Sequence, residues 1–410
     1  MSSARSSGAT TLLVTVTGRD RPGVTSELFA VLGRYPVDVL DIEQVVIRGR
    51  LVLGVLTTAV SEEASLRSAL DQLAARLMLD IELAPGGGDR GPRRSRAHVT
   101  VLGHPLRPAA VATIAARIAH LGANIDRIVR LSSYPVTSIE LEVSGSDPAV
   151  LKTALAAEAV AHGIDLAVQP AGLSRRAKRL VVLDVDSTLV QGEVIEMLAE
   201  RAGVRDEVAA VTSAAMRGEL DFSAALRDRV RLLAGLPVSA FAEICEQVTL
   251  APGARTLVRT LKRLDYRLAI VSGGFTQITD HLVRELGIDY AASNTVEVID
   301  GRLSGELVEP ILDRAGKAAA MVRFAEQAGV PLAQTIAVGD GANDLDMIAR
   351  AGLGVAFNAK PLVRDAADAA VNVPYLDTVL YLLGISREDV EAADAADGLL
   401  TPSPRVPPPV

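Results

Sequence analysis

The sequence predicts an α/β protein in which two small ferredoxin-like βαββαβ units precede a larger domain built on a Rossmann-like parallel sheet. In the first 170 residues, β-rich and helical periodicity follow the order strand, helix, two strands, helix, strand, and the order then repeats. Further along the chain, three apolar runs each end in a polar cluster. Strands buried on both faces of a parallel sheet have this composition, so the second half of the chain is predicted to be doubly wound.

Composition narrows the classes of function. The chain has 410 residues, a formal net charge of −8, 3% aromatic residues and one cysteine, Cys245. An acidic chain with few aromatic side chains argues against nucleic-acid binding. No apolar run approaches the ~20 residues of a membrane span, which argues against a membrane protein. The single cysteine and the lack of an apolar signal segment after Met1 indicate a cytoplasmic protein.

The first unit is predicted over residues 11–84, after a disordered start at residues 1–10. Its predicted elements are a strand at 11–17, a helix at 24–35, strands at 37–46 and 51–59, a helix at 62–78 and a strand at 80–83. A tight loop from Gly18 to Gly23, which contains Asp20, joins the first strand to the first helix. Residues 85–96 are too rich in glycine, proline and charge to pack, and are predicted to be a linker.

The second unit is predicted over residues 97–169. Its predicted elements are a strand at 98–102, a helix at 108–121, strands at 125–131 and 137–143, a helix at 147–162 and a strand at 165–168. Leu79–Leu83 aligns with Ile164–Val168, which indicates an internal duplication. The basic segment at residues 170–179 could be a nucleic-acid arm, but a solvated hinge between domains is the favoured interpretation.

Both units resemble ACT domains, the amino-acid-sensing modules appended to metabolic enzymes. The resemblance implies that Gly18 and Asp20 belong to an effector-binding loop, because glycines let backbone N–H groups face a carboxylate. A simple turn is the alternative interpretation. The corresponding loop of the second unit, from Gly103 to Pro108, contains no aspartate, so effector binding by that unit stays open. Because ACT units usually bind their ligand between paired units, the resemblance also implies a homodimer.

The third domain is predicted over residues 180–391, before a disordered, proline-rich tail at 392–410. The apolar run Leu180–Leu183 stops at two carboxylates, Asp184 and Asp186. Two carboxylates this close repel each other unless a cation lies between them or one of them holds a proton. The stretch therefore predicts a divalent metal site and one acid that can transfer a proton. An ordinary polar turn after the strand is the alternative.

Three further clusters follow the same principle. Ser272, Gly273 and Gly274 come directly after an apolar strand, and a hydroxyl group beside two glycines suits a phosphate because backbone amides can approach it closely. Lys317 lies in a helical stretch. A third apolar run ends at a cluster of polar residues, Asp340, Asn343 and Asp344.

In this order, the clusters resemble the four motifs of the haloacid-dehalogenase superfamily of phosphotransferases. The resemblance implies that Asp184 is the nucleophile that forms an aspartyl-phosphate, and that Asp186 donates and then accepts a proton. Ser272 and Lys317 would hold the phosphoryl oxygens. By the same resemblance, Mg²⁺ would bind to Asp184, to the backbone carbonyl of Asp186 and to Asp340, with Asp344 supporting the site.

Residues from about 191 to 250 have helical periodicity throughout, which predicts a helical cap over the crevice. Within this cap, Met216–Phe222 and Leu226–Val230 closely resemble phosphoserine phosphatases. The resemblance implies O-phospho-L-serine as the substrate, with its ammonium group bound by Glu193 and its carboxylate by the fork of Arg229. The remaining implied pocket residues are Met216, Phe222 and, at the phosphate end, Asn343.

L-serine is the product of that reaction, so the ACT-like units imply feedback by L-serine. Two alternatives stay open. One is a phosphatase for another small phosphorylated metabolite, and the other is an inactive regulator that only binds amino acids. The presence of all four motifs favours an active enzyme over an inactive regulator.

Overall fold

The protein is described here by a computed structural model that covers residues 11–86, 95–172, 175, 177–216 and 221–402, without the side chain of Met216. The predicted disordered start, most of the first linker and residues 403–410 lie outside the described residues. The chain divides into two compact units, residues 1–93 and residues 94–410. No helix in the described ranges combines the length and the apolar composition that crossing a bilayer requires.

The first unit has the predicted ferredoxin-like order of elements. Its sheet is four-stranded, in the order β2-β3-β1-β4, and antiparallel. The elements are β1 (Thr11–Arg19), a helix (Val24–Leu32), β2 (Val39–Ile47), β3 (Arg50–Thr58), a helix (Glu63–Leu77) and β4 (Asp80–Gly86). Alternate residues of β1, such as Val14 and Val16, are buried against Leu28 and Leu66 of the two helices.

The second compact unit, residues 94–410, begins with another ferredoxin-like arrangement. Its elements are β5 (Arg96–Gly103), a helix (Pro108–His120), β6 (Asn124–Ser132), β7 (Thr137–Ser144), a helix (Pro148–His162) and β8 (Asp165–Pro170). Its sheet does not end at β8, because Ala167 of β8 pairs with Ala369 of a strand from the α/β domain. The result is one eleven-stranded sheet that the ferredoxin-like part and the α/β part share.

The α/β part has the predicted Rossmann-like core. Its strands are β9 (Leu180–Leu183), β10 (Arg267–Phe275), β11 (Tyr290–Ile299), β12 (Arg302–Val308), β13 (Thr335–Gly339), β14 (Gly354–Phe357) and β15 (Ala369–Val371). β9 lies between β10 and β13 and is parallel to both. All four of its residues are fully buried. The carboxyl ends of β9, β10 and β13 therefore meet at one edge of the sheet.

Helices cover both faces of this core and form the cap. The cap helices are Val194–Ala202, Arg205–Met216, Phe222–Leu232 and Ala240–Gln247. An isolated bridge between Val190 and Leu250 brings the two ends of this insertion together. The helices of the core are Ala254–Arg263, Thr276–Leu286, Arg314–Gln327, Leu345–Arg350, Pro361–Ala366, Val379–Leu382 and Arg387–Ala396.

Two sequence-based predictions are wrong for the residues that the structure describes. Within the segment 170–179, predicted to be a solvated hinge, Arg175 and Lys178 are only 9% and 5% exposed, whereas Gly172 and Arg179 are exposed as predicted. Arg175 pairs with Glu140 of β7 and also donates to the carbonyl of Leu382. The sequence predicts a solvated cluster because no acceptors are nearby in the chain. The acceptors of Arg175 belong to two distant elements, β7 and the segment that contains Leu382.

The predicted tail is the second correction, because order continues past residue 392. The last helix runs to Ala396, and the carboxylate of Asp394 is fully buried. It accepts hydrogen bonds from Arg259, Arg263 and Thr401. An alanine-rich acidic stretch does not by itself indicate a packed helix. Asp394 can be buried because side chains outside its own helix, chiefly the two arginines of the helix Ala254–Arg263, bond its carboxylate.

Candidate active site

The chain makes a tight turn immediately after β9, and this turn presents both aspartates to the crevice. Ser187, within the turn, has a left-handed backbone conformation with φ of 57°. The backbone N–H of Val185 donates to Oδ1 of Asp184 at 2.8 Å. The N–H of Val194, at the start of the first cap helix, donates to Oδ1 of Asp186 at 2.9 Å. Backbone groups thus hold the two carboxylates apart.

Lys317 connects two of the acidic clusters. Its side chain is fully buried, and its Nζ lies 2.7 Å from Oδ1 of Asp184 and 2.8 Å from Oδ1 of Asp344. Burial alone would lower the pKa of Lys317, but the two carboxylates outweigh it and hold the pKa above its usual value. The lysine is therefore cationic at neutral pH, next to the predicted nucleophile.

Asp184, Asp340 and Asp344 form a group that could hold a metal ion. One carboxylate oxygen from each lies within 4.8 Å of the others. Burial, followed by the charge of Asp344, raises the pKa of Asp340 to about 6, and the same two causes raise the pKa of Asp184 well above its usual value. A divalent cation relieves such crowding, and carboxylate oxygens are ligands that Mg²⁺ favours. The residues fit a divalent metal ion.

Two members of this group, Asp184 and Asp340, are predicted metal ligands, and the third was predicted to support the site. Asp344 was expected only to support the site, yet it contributes an oxygen to the group as well as accepting from Lys317. The carboxylate of Asp186 is not a member of the group. Its predicted contribution, through the backbone carbonyl, stays a prediction.

The carboxyl end of β10, from Ser272 to Gly274, approaches Asp186 closely. The N–H of Gly274 donates to Oγ of Ser272 at 2.8 Å, and this hydroxyl lies 3.3 Å from Oδ2 of Asp186. A Cβ atom on Gly274 would be 3.0 Å from that hydroxyl and 3.2 Å from the carboxylate oxygen. At Gly273, a Cβ atom would be 3.0 Å from the ring of Phe222 in the cap. A side chain at either glycine would therefore crowd these neighbours, which would have to shift to make room for it.

A single crevice is lined by most of the predicted core and cap residues, whereas Ser272, Lys317 and Asp344 are buried and do not belong to its lining. Its lining comprises Asp184, Asp186, Glu193, Ile195, Phe222, Leu226, Arg229, Gly273, Gly274, Phe275, Asp340 and Asn343. Ile195, Leu226 and Phe275 were not predicted. Leu226 could have been found, because it precedes Arg229 by three residues and so lies on the same helical face. The predicted wall residue Met216 has its side chain outside the described residues.

The crevice also contains one carboxyl group and one guanidinium group, those of Glu193 and Arg229. The carboxylate of Glu193 accepts from Ser187 Oγ at 3.3 Å. Although the residue keeps contact with solvent, surrounding protein raises the pKa of Glu193 to about 7, and Asp186 and Asp340 add to the rise. Burial lowers the pKa of Arg229 from its usual value, against the opposing effect of Glu193.

Arg229 differs from the arginines that flank it on the helix. Arg227 pairs with Glu309 at 2.8 Å, and Arg231 pairs with Asp228 at 2.7 Å. Within the described part of the chain, Arg229 forms no ion pair, and its Nε donates only to the carbonyl of Ala225 at 3.3 Å. The crevice therefore contains a half-buried guanidinium group that can bind an anion.

The loop predicted to bind an effector lies at the end of β1. The side chain of Asp20 is exposed, and its backbone N–H donates to the carbonyl of Gly49 at 2.8 Å. At Gly18, a Cβ atom would come within 2.4 Å of Cδ2 of Leu79. Packing against Leu79 thus explains the glycine without a ligand, and effector binding by Gly18 and Asp20 stays a prediction.

Comparisons with known proteins agree with this geometry. Residues 178–352 match the family of haloacid dehalogenase-like hydrolases, and residues 10–84 and 95–169 each match an ACT domain. A phosphoserine phosphatase of Streptomyces coelicolor is 60% identical over 403 residues, which cover 97% of this chain and 98% of the relative. One from Mycobacterium tuberculosis is 53% identical over 392 residues, which cover 94% of this chain and 96% of the relative.

A solved structure extends the likeness to three dimensions. The crystal structure of a probable phosphoserine phosphatase from Vibrio cholerae is 34% identical, with a TM-score of 0.54. The match covers 74% of this chain and 89% of that one. The identities of 60% and 53% to the first two relatives, over nearly the whole chain, together with the site geometry, establish the family. The chain belongs to the phosphoserine phosphatase family of haloacid dehalogenase-like hydrolases, and it carries two ACT domains before its hydrolase domain.

Proposed function

We propose that the protein is a Mg²⁺-dependent phosphoserine phosphatase that hydrolyses O-phospho-L-serine to L-serine and inorganic phosphate. The observation that carries the proposal is one crevice with two unlike ends. Asp184, beside the cationic Lys317, suits a phosphate, whereas Glu193 and Arg229 offer an anion and a cation. That pair complements the ammonium and carboxylate groups of an amino acid. The names of the relatives support the same substrate.

In the first half-reaction, a carboxylate oxygen of Asp184 forms a bond to phosphorus as the bond from phosphorus to the serine oxygen breaks. Asp186 donates its proton to that leaving oxygen, so L-serine departs with a neutral hydroxyl group. Asp186 must therefore begin protonated. Burial raises the pKa of Asp186 above its usual value, which supports this role, although the N–H of Val194 and the charge of Lys317 oppose the rise.

In the second half-reaction, a water molecule attacks the phosphorus atom of the aspartyl-phosphate. The bond from phosphorus to Asp184 breaks, and Asp186 takes the proton of the water, so both residues return to their starting state. Exclusion of other water during the first step falls to the cap, whose Phe222 covers Gly273.

Mg²⁺ would be held by Asp184, Asp340 and Asp344, and when bound it would offset the repulsion between the nucleophile and a phosphate dianion. Lys317, whose Nζ contacts both Asp184 and Asp344, contributes further positive charge. Ser272, with the N–H groups of its loop, would hold the phosphoryl oxygens.

The test of this function compares two esters in one variant. Arg229→Ala should raise KM for O-phospho-L-serine far more than for O-phosphoethanolamine, which lacks the carboxylate. The expected loss is about 2–5 kcal/mol in kcat/KM on the first ester only. Arg231→Ala is the matched control, because Arg231 pairs with Asp228 on the same helix. Asp184→Asn keeps the side-chain volume and gives the background without a nucleophile.

Three outcomes separate the alternatives. Equal losses on both esters would show that Arg229 only supports the cap, and another phosphorylated metabolite would become the preferred substrate. Failure of the wild-type protein to release phosphate from either ester with Mg²⁺ present would favour the inactive amino-acid-binding regulator. Activity that survives EDTA would remove the metal from the proposal.

We also propose a homodimer that L-serine inhibits through the first ACT domain, near Gly18 and Asp20. The edge strand β2 supports the dimer, because its apolar side chains are exposed; they include Val39, Leu40, Ile42, Val45, Val46 and Ile47. Such an edge favours pairing with another strand. A cytoplasmic location agrees with the single cysteine of the chain.

A further inference from the structure

Asn294 links two segments of the phosphate-binding half of the crevice. It lies on β11 and is 1% exposed. Its Nδ2 donates to the carbonyl of Gly273 at 2.8 Å, and its Oδ1 accepts from the N–H of Leu312 at 2.7 Å. The two partners fix the orientation of the amide group, because reversing it would set donor against donor and acceptor against acceptor.

The pairing of β10 with β11 shows why a side chain is needed at this point. Val271 pairs with Ala292, and the next pair is Phe275 with Asn294. Three residues of β10, from Ser272 to Gly274, thus stand opposite one residue of β11. The loop bulges away from the regular ladder, and the side chain of Asn294 supplies a bond that backbone pairing does not provide.

The bond to Gly273 orients the groups next to Asp186. The carbonyl of Gly273 and the N–H of Gly274 belong to the same planar peptide group, so fixing one fixes the other. That N–H donates to Oγ of Ser272, whose hydroxyl lies 3.3 Å from Oδ2 of Asp186. Asn294 therefore acts on the serine hydroxyl through one peptide plane.

The bond to Leu312 acts on the lysine. Leu312 precedes Asp313, whose side chain caps the helix Arg314–Gln327 by accepting from the N–H of Gly316 at 2.7 Å. The carbonyl of Asp313 accepts from the N–H of Lys317 at 2.8 Å. The position of Leu312 therefore helps to determine where this helix begins, and hence where Lys317 lies.

We propose that Asn294 is a positioning residue that holds the Ser272–Gly274 loop and the start of the Lys317 helix in register, so that both meet the same phosphoryl group. It acts through these two segments and does not line the crevice. The proposal rests on the proposed function in so far as the ligand is a phosphate, and it concerns the phosphate end alone. The amino-acid end, with Glu193 and Arg229, should be unaffected.

The test uses Asn294→Asp in the full-length protein with Mg²⁺ present. Aspartate keeps the size and can still accept from Leu312, but it has no N–H for the carbonyl of Gly273. We expect the Kd for inorganic phosphate, measured by calorimetry, to rise about tenfold, the effect of one lost hydrogen bond at the upper end of the usual range. We expect kcat to fall equally for O-phospho-L-serine and O-phosphoethanolamine, so their ratio of kcat/KM stays unchanged.

Thr335→Val is the matched control. Thr335 is also fully buried and bonds the backbone twice, accepting from Gly352 and donating to Leu332, but at the start of β13, away from the crevice. It should lower Tm without changing the Kd for phosphate. A second variant, Asn294→Ser, shortens the side chain without introducing a buried charge and covers the case in which aspartate prevents folding.

The outcomes keep this proposal separate from the proposed function. Wild-type affinity for phosphate in folded Asn294→Asp or Asn294→Ser would overturn the positioning role. A loss no greater than that of Thr335→Val would do the same. If the wild-type protein hydrolyses neither ester but Asn294→Asp still weakens phosphate binding tenfold, the proposed function fails and the positioning role stands.

Discussion

The two ACT domains share an order of elements, but their last strands have different surroundings. In the first, β4 is an edge strand of a four-stranded sheet, and Asp80 is exposed. In the second, β8 continues into the hydrolase sheet, and Asp165, which the repeat aligns with Asp80, is 5% exposed. Its carboxylate accepts from both the N–H and the side-chain Nδ2 of Asn372, each at 2.6 Å.

The opposite edges differ as well. Strand β2 of the first domain exposes a row of apolar side chains. Strand β6 of the second contacts the helix Arg387–Ala396, with Arg130 and Glu388 paired at 2.8 Å. One copy of the duplicated sequence thus continues the hydrolase sheet, whereas the other belongs to a separate compact unit and exposes apolar side chains on its edge strand β2. Duplication preserves a fold without preserving its role.

The largest expected effect is on cooperative unfolding, in which two truncated forms of the protein should differ. Removing residues 1–93 should leave a folded hydrolase, because that cut follows the boundary between the two compact units. Removing residues 1–170 should abolish cooperative unfolding, because it strips β8 from β15 and leaves Asn372 without Asp165. Circular dichroism melting of both fragments tests this expectation. An equally sharp transition in residues 171–410 would show that the shared sheet contributes little.

A smaller effect comes from the two aligned aspartates. Asp165→Ala should lower the free energy of unfolding by about 2–4 kcal/mol, because it removes two buried hydrogen bonds to a carboxylate and leaves Asn372 unsatisfied. Asp80→Ala, the matched control, should change it by no more than about 0.5 kcal/mol, as is usual at exposed positions. Urea unfolding of the full chain measures both. Similar values for the two variants would contradict the structural assignment of the second domain.

The exposed edge strands provide the next comparison. Ile42→Lys on β2 should weaken the proposed dimer at least tenfold, because pairing would bury the new charge. Ile128→Lys on β6 is the control, since Ile128 is also on an edge strand and is 56% exposed. Light scattering over a range of protein concentrations gives the dissociation constants. A dimer that only Ile128→Lys disrupts would transfer the interface to the second domain.

The smallest expected effect concerns regulation. Asp20→Ala should remove the part of L-serine inhibition that substrate cannot overcome, a coupling of ~1–3 kcal/mol, and should leave Tm unchanged because the side chain is exposed. Arg107→Ala in the equivalent loop of the second domain is the control. Gly18→Ala is unsuitable, because its Cβ atom would collide with Leu79. Purely competitive inhibition in the wild-type protein would contradict the sensing role.

The sequence by itself was enough for the fold class, and it marked the residues that the structure brings together around Asp184. Leu180–Leu183 is apolar throughout because β9 is buried on both faces. Asp184 comes directly after β9, and the carboxyl ends of parallel strands meet at one crevice, so its position in the site could be predicted. The hydrophobic pattern that predicts a buried strand involves only neighbouring residues, so a short stretch of sequence is enough to recognise it. The order of the motifs then implied that these clusters meet in one site, and Nζ of Lys317 does lie within hydrogen-bond distance of both Asp184 and Asp344.

Only the tertiary structure decided which side chains meet across long separations. The resemblance already pointed to Arg229, but only the packing shows that Arg227 and Arg231 have ion-pair partners while Arg229 lines the crevice. Asn294 had no local signal at all, because its two partners lie 21 and 18 residues away in different segments. The same holds for the junction between Asp165 and Asn372, which are 207 residues apart. A hydrogen bond between residues of two distant elements leaves no periodic pattern in the sequence, because the packing of those elements determines whether donor and acceptor meet. For that reason the sequence did not predict these contacts.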